Sequence, residues 1–229
     1  MIMTAVDLAQ RLPSIATVRV LSQSFAVLDT ILKPDGHATY AFDSRWDEHE
    51  ELASMDNGSG DEYSIVFTPA GAFVRGFDHE APMSPYADED YAPWPGLVES
   101  IPEQFTAQAN EPAFCHDGDT GPFLAATICL WRLHDDPSWR TGDIEFPPDE
   151  DCIDPDGSAW MFGLLAEGTP EAYHAYATDY FEVPVDLAAV REVFEHHPLT
   201  TDLVRRLNPH TDLTSLAERL DTIGYPYTR

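Results

Sequence analysis

Positive charge is what this sequence has least of. Lysine occurs once, at Lys33, and lysine and arginine together number 12 against 41 aspartates and glutamates, so the net charge is −29. Nucleic acids and anionic lipid surfaces bind clustered cations, and this composition argues against both as partners. Cysteine is scarce as well. Cys115, Cys129 and Cys152 contain no C-x-x-C pair, and their odd number supplies no disulfide framework, so neither a zinc knuckle nor a redox pair is expected. Long apolar runs are missing from the plain reading of the chain. The longest, 123–131, falls far short of the ~20 residues of a spanning helix. The N-terminus has no basic segment, meets Asp7 early and reaches Pro13 before any long apolar run, which is unlike a secretory signal. The expectation is a cytoplasmic protein.

What is present suffices for a core. Hydrophobic residues make up 43% of the 229 residues and aromatic residues 11%, whereas a disordered acidic tail lacks the aromatics needed to bury surface. The excess of acid has three sources to weigh: coding bias in a GC-rich genome, adaptation to high salt, and a surface complementary to a basic partner.

The apolar spacing predicts the order of elements. From Ser14, a candidate N-cap, the residues Ile15, Val18, Leu21, Phe25, Leu28 and Leu32 recur three or four apart and share one helical face. Pro34 ends that helix. The period then becomes two, with strands around Tyr40 and Phe42, at 52–55, at 63–68 and at 73–77, joined by the turns 56–61 and 69–71. These form an antiparallel meander of three or four strands. Five prolines between Pro82 and Pro102, with Tyr86, Tyr91 and Trp94 among them, predict a long ordered loop covering the sheet. A short helix follows at 103–109, then a buried strand at 123–133, then an acidic exposed stretch at 143–156. Four helices close the chain after a turn whose helix Ser158 would cap. Their signals are Thr169 before Pro170, Asp186, Thr200 or Thr201, and Gly224 after the run Leu213, Leu216, Leu220 and Ile223. Strands first and helices later predict a single α+β domain over 1–229, its meander packed against the long N-terminal helix and the helical C-terminal third.

Several strings carry a resemblance. Asn57-Gly58-Ser59-Gly60-Asp61-Glu62-Tyr63 is followed by Gly76-Phe77-Asp78-His79-Glu80 and Met83-Ser84-Pro85, and later by Glu111-Pro112-Ala113-Phe114, Trp131-Arg132 and Ile223-Gly224-Tyr225-Pro226. Over nearly its whole length the chain resembles a family of uncharacterised bacterial proteins, which implies a cytosolic bacterial origin and no particular activity. Over about residues 50 to 80 it also resembles SUKH-type immunity domains, in which a Gly-Asp-rich turn joins strands and an acidic residue follows the next strand. That likeness implies a binding role and no catalytic residue.

Asp78-His79-Glu80 is the most suggestive triplet for chemistry. It ends a strand, and where the pairing register allows, the turn 56–61 lies beside it, bringing Asp61 and Glu62 near, with Glu111 as a further acid. Carboxylates and an imidazole together suit a divalent metal or acid–base work. Set against this, polar residues at strand ends ordinarily satisfy turn groups. Other motifs fall away on spacing. His49-Glu50-Glu51-Leu52-Ala53 has Ala53 where a zincin needs histidine, and 154–158 as a calcium loop would need Cys152 and Gly163 as ligands. Cys115-His116-Asp117 lacks a cationic setting for a thiolate nucleophile. His196-His197 places cations near a helix C-terminus, and the tyrosines 173, 176 and 180 belong to a core face. No G-x-S-x-G, Walker A or G-x-G-x-x-G string occurs, and no cofactor or metal is expected. The reading is an acidic binding protein for a basic protein partner, in the manner of an immunity protein, rather than an enzyme. The alternative is an enzyme or metal-binding protein using the Asp78-His79-Glu80 region.

Overall fold

The computed structural model describes residues 3–87, 91–118, 121–148 and 154–228. Cys152 and most of the tip of the acidic stretch lie outside them. Helix α1 (Ala5–Arg11) precedes α2 (Ile15–Leu32), whose N-cap Ser14 accepts the N–H of Thr17. Four strands follow as a meander: β1 (Tyr40–Asp47), β2 (Glu50–Asp56), β3 (Glu62–Thr68) and β4 (Gly71–Phe77). After the proline-rich loop come α3 (Thr106–Ala109), the hairpin β5 (Cys115–Gly118) and β6 (Gly121–Leu124), and β7 (Ile128–Leu133). Strand β7 pairs antiparallel with β4 and completes a five-stranded sheet of order β1-β2-β3-β4-β7. The helices α4 (Ser158–Glu167), α5 (Pro170–Tyr180), α6 (Leu187–Phe194), α7 (Thr201–Leu207) and α8 (Ala217–Ile223) end the chain. The chain is an α+β protein.

The two-residue period of the strands sorts side chains between two layers. Tyr63, Ile65 and Phe67 of β3 and Ala72 and Val74 of β4 face the helices, where they join Phe25, Leu28, Phe162 and Tyr173. Val66, Phe73, Cys129 and Trp131 face the other way and are covered by Leu97, Phe105, Phe114 and Leu124 from the loop region. The long loop is thus a second layer, and every residue of β4 is buried. By length and apolar composition α2 is able to cross a membrane, but 67% of it is buried inside the protein. It is the central core helix, and it carries the wholly buried Asp29, which accepts the Tyr40 N–H at 3.0 Å and the Tyr173 O–H at 2.7 Å.

Four expectations change. The fifth strand extends the meander, because β7 pairs with β4 across a long connection. The expected strand at 123–133 is divided: Leu124 pairs with Cys115, whereas Ile128 pairs with Gly76. Between them the carbonyl of Ala125 accepts the Nε–H of Arg75, which turns the chain inward. Ser158 does not cap α4. Asp154 accepts the N–H groups of Ala159 and Trp160, Asp156 accepts that of Ser158, and the Ser158 hydroxyl is buried without a partner. Asp156, expected in an exposed stretch, is fully buried and also accepts the Ala5 N–H at 2.7 Å, tying α4 to α1.

Candidate functional site

The turn between β2 and β3 builds itself from short polar side chains. Asn57 Oδ1 accepts the N–H groups of Ser59 and Asp61, Asp56 Oδ1 accepts that of Gly58, and Gly58 and Gly60 take the left-handed backbone, at φ 74° and 104°, that the turn requires. The register Glu62↔Phe77 then sets Asp61 opposite the end of β4, where Asp78 and His79 leave the sheet.

Asp61 is buried and lies at the centre of the cluster. Its Oδ1 accepts both the ring Nδ1–H of His79 at 2.6 Å and the main-chain N–H of His79 at 3.0 Å, and its Oδ2 accepts the Asn57 amide at 2.6 Å. Burial pushes the Asp61 carboxyl up, but these hydrogen bonds outweigh it and hold the group below its ordinary range. The same bond, with the nearby carboxylates, raises His79 above the usual histidine range. With Nδ1–H directed at Asp61, His79 turns Nε2 outward, 3.9 Å from Glu80.

Asp78 is held differently. Its Oδ1 accepts the N–H groups of Glu80 and Ala81, and its Oδ2 accepts the indole N–H of Trp160 at 2.8 Å. Gly157, at φ 81°, leaves the space that the Asp78 side chain fills, since a Cβ there would lie 2.7 Å from Asp78 Cβ. Asp78 therefore joins the strand end to the start of α4.

Asp61, Asp78 and His79 each present a ligand atom within 4.8 Å of the others. Their capacity for a further ligand is small. A carboxylate has roughly four acceptor sites, and Asp61 and Asp78 have each filled three with N–H donors. The free groups are the outward Nε2 of His79 and the exposed Glu80.

Of the six acids and imidazoles expected to act, four come together: Asp61, Asp78, His79 and Glu80. Glu62 alternates to the other face of β3 and pairs with Arg75 at 2.6 Å. Glu111 caps a short 3-10 turn, accepting the Ala113 N–H, and lines a separate cavity. Asn57 and Trp160 complete the cluster and were not anticipated; Asn57 was legible as a turn residue, whereas the indole arrives from a helix 82 residues away in the chain.

The remaining motifs follow their chemistry. Burial raises the Cys115 thiol, and pushes that of Cys129 up to about 12, so neither is a ready thiolate. His116 bonds the Tyr86 hydroxyl through Nδ1 at 2.7 Å, within an aromatic cluster that includes Phe77, Tyr91 and Phe123. His196 departs from expectation: it is partly buried against Tyr225, and burial lowers its pKa, which favours the neutral ring over a cation at the helix end. Compared with protein-family models, curated proteins and solved structures, the chain matches none.

Proposed function

We propose that the protein is a binding protein whose anionic exterior docks a basic protein partner, in the manner of bacterial immunity proteins. The observation that carries this reading is where the few cations sit. Arg19 pairs with Glu51, Arg75 with Glu62, Arg140 with Asp136, Arg191 with Glu171, and Arg206 with both Asp186 and Glu192. These arginines are held by the chain's own carboxylates, while the net charge stays at −29. Such a field steers a cationic protein into encounter and gives fast association that weakens with salt. The near-saturated hydrogen bonding of Asp61 and Asp78 supports the same reading, because it suits a turn clasp better than a reaction centre.

The test is capture from the native cell at low salt, followed by reconstitution from purified components. A stoichiometric complex whose association rate falls steeply with ionic strength is expected. Absence of any stoichiometric basic partner overturns the reading.

A second reading rests on the 4.8 Å grouping of Asp61, Asp78 and His79: a divalent-cation or acid–base site using the outward Nε2 of His79, with Glu80 beside it. Native mass spectrometry with added zinc, manganese and calcium tests it. A bound ion lost in His79→Ala supports this reading, and unchanged metal content rejects it.

A further inference from the structure

Beside the β1–β2 hairpin lies a small cavity of about 80 Å³, lined among others by Trp46, Asp47, Glu50, Gln108, Glu111 and Phe114. Its size is far below the ~300 Å³ at which small-molecule pockets begin, yet three of these six residues are carboxylates. Gln108 is 7% exposed, and its Nε2 donates to Glu50 Oε1 at 2.6 Å. That bond fixes the amide, since the opposite orientation would set a carbonyl oxygen against a carboxylate. The Oε1 left over is fully buried and has no hydrogen-bond partner. Leaving such an acceptor unpaired is costly, and native structures rarely do so without cause.

We propose that this cavity receives the guanidinium of an arginine presented by the partner protein, with Gln108 Oε1, Glu50 and Glu111 as acceptors and Trp46 and Phe114 as the apolar walls. The inference rests on the basic-partner reading above and names the contact within it. A guanidinium carries five N–H donors in a planar fork and stacks on aromatic faces, which suits a small cavity lined by several acceptors and two aromatic side chains. A bare metal ion matches them less well. Among the described residues, the grouping tight enough for a metal is the one at Asp61, Asp78 and His79, and these acids are not in it. Burial, with Asp47 and Glu111 nearby, raises the Glu50 carboxyl, as expected of an anionic site that lacks its cation. Trp46 is 37% exposed, and Asp47 and Glu50, at the end of the hairpin, also line an open groove of about 640 Å³ whose other walls include Arg19 and Phe67.

The probes are an acetylated Gly-Arg-Gly amide and its lysine counterpart, titrated at low salt by calorimetry while the Gln108 side-chain amide is followed by NMR. The arginine peptide is expected to bind about tenfold more tightly than the lysine peptide and to shift the Gln108 amide. Glu111→Gln is expected to weaken it about tenfold, the effect of removing one charge-assisted hydrogen bond. This variant keeps a side-chain carbonyl to cap Ala113, and its thermal unfolding is recorded alongside. Asp202→Asn removes the same charge from α7, which lends no residue to the cavity, and should leave binding unchanged. Equal affinity for both peptides, equal effects of the two variants, or no binding at all overturns the cavity assignment. A native partner that binds with no sensitivity to Glu111→Gln removes the cavity but leaves the basic-partner reading standing. Peptide binding that depends on Glu111, with no native basic partner found, does the reverse.

Discussion

Asp61 and His79 are joined twice: one carboxylate oxygen accepts the ring N–H at 2.6 Å and the main-chain N–H at 3.0 Å of the same residue. The pair closes the open end of the β3–β4 ladder, Asp61 lying one residue and His79 two residues beyond the register Glu62↔Phe77. A side-chain bond thus continues the sheet past the point where backbone pairing stops.

Replacing Asp61 with alanine strands the Asn57 amide and the His79 N–H beside a buried position. The expected loss is about 2 kcal/mol, the cost of leaving polar groups unpaired, read as a lower urea midpoint with an unchanged slope. His79→Ala should cost less, because its side chain is 39% exposed and half-exposed ion pairs contribute little. An equal loss for both would place the energy in the ring contact instead of the main-chain bonds.

Stability should rise on mild acidification. Burial pushes both Asp29 and Asp156 up to about 6 from an ordinary 3.8, so between those values the folded state binds more protons than the unfolded chain. Their stabilisation is full below pH ~4 and is lost as pH rises through ~6, each worth on the order of 3 kcal/mol. His79, also raised, acts in the same direction. Asp61 and Asp186 are held low and oppose the gain in more acidic solution. Thermal unfolding should therefore peak on the acid side of neutrality, and Asp29→Asn should flatten the slope between about pH 4 and 6. A midpoint that rises steadily toward pH 8 would contradict this assignment.

Salt should stabilise the protein. With a net charge of −29, self-repulsion opposes the compact state and is screened over ~10 Å at 0.1 M salt. The melting temperature is expected to climb with sodium chloride and to level off once repulsion is screened. A temperature that falls with added salt would show that the internal arginine pairs dominate.

Arg75 is the sensitive ion pair. Its side chain is 1% exposed, whereas that of its partner Glu62 is 38% exposed. Removing the carboxylate leaves a buried guanidinium without its counter-charge, so Glu62→Ala should cost about 3 kcal/mol. Arg191–Glu171, exposed on both sides, offers the contrast. Denaturant titration of Glu62→Ala beside Glu171→Ala checks this, and equal small losses would refute it.

Much of the secondary structure was legible because its causes are local. Ser14, Thr169, Asp186 and Thr200 accept N–H groups two or three residues ahead, and Gly224 ends α8 at φ 72°. Helix α1 went unread because its seven residues lie before Pro13 in a segment without a long apolar repeat. The division at 125–127 was hidden for another reason: it follows from a bond to Arg75, fifty residues earlier.

By itself, the order of residues determined an acidic α+β chain with a meander, a covering loop and a helical last third, since spacing, caps and turns act over a few residues. Only the tertiary structure decided that Asp61 meets His79, that Glu62 turns away to Arg75, and that Gln108 and Glu111, close neighbours in the chain, share a cavity with the distant Glu50. The physical reason is that strand register and burial are settled by contacts between distant segments. A side chain's neighbours, and with them its charge state, follow from those contacts.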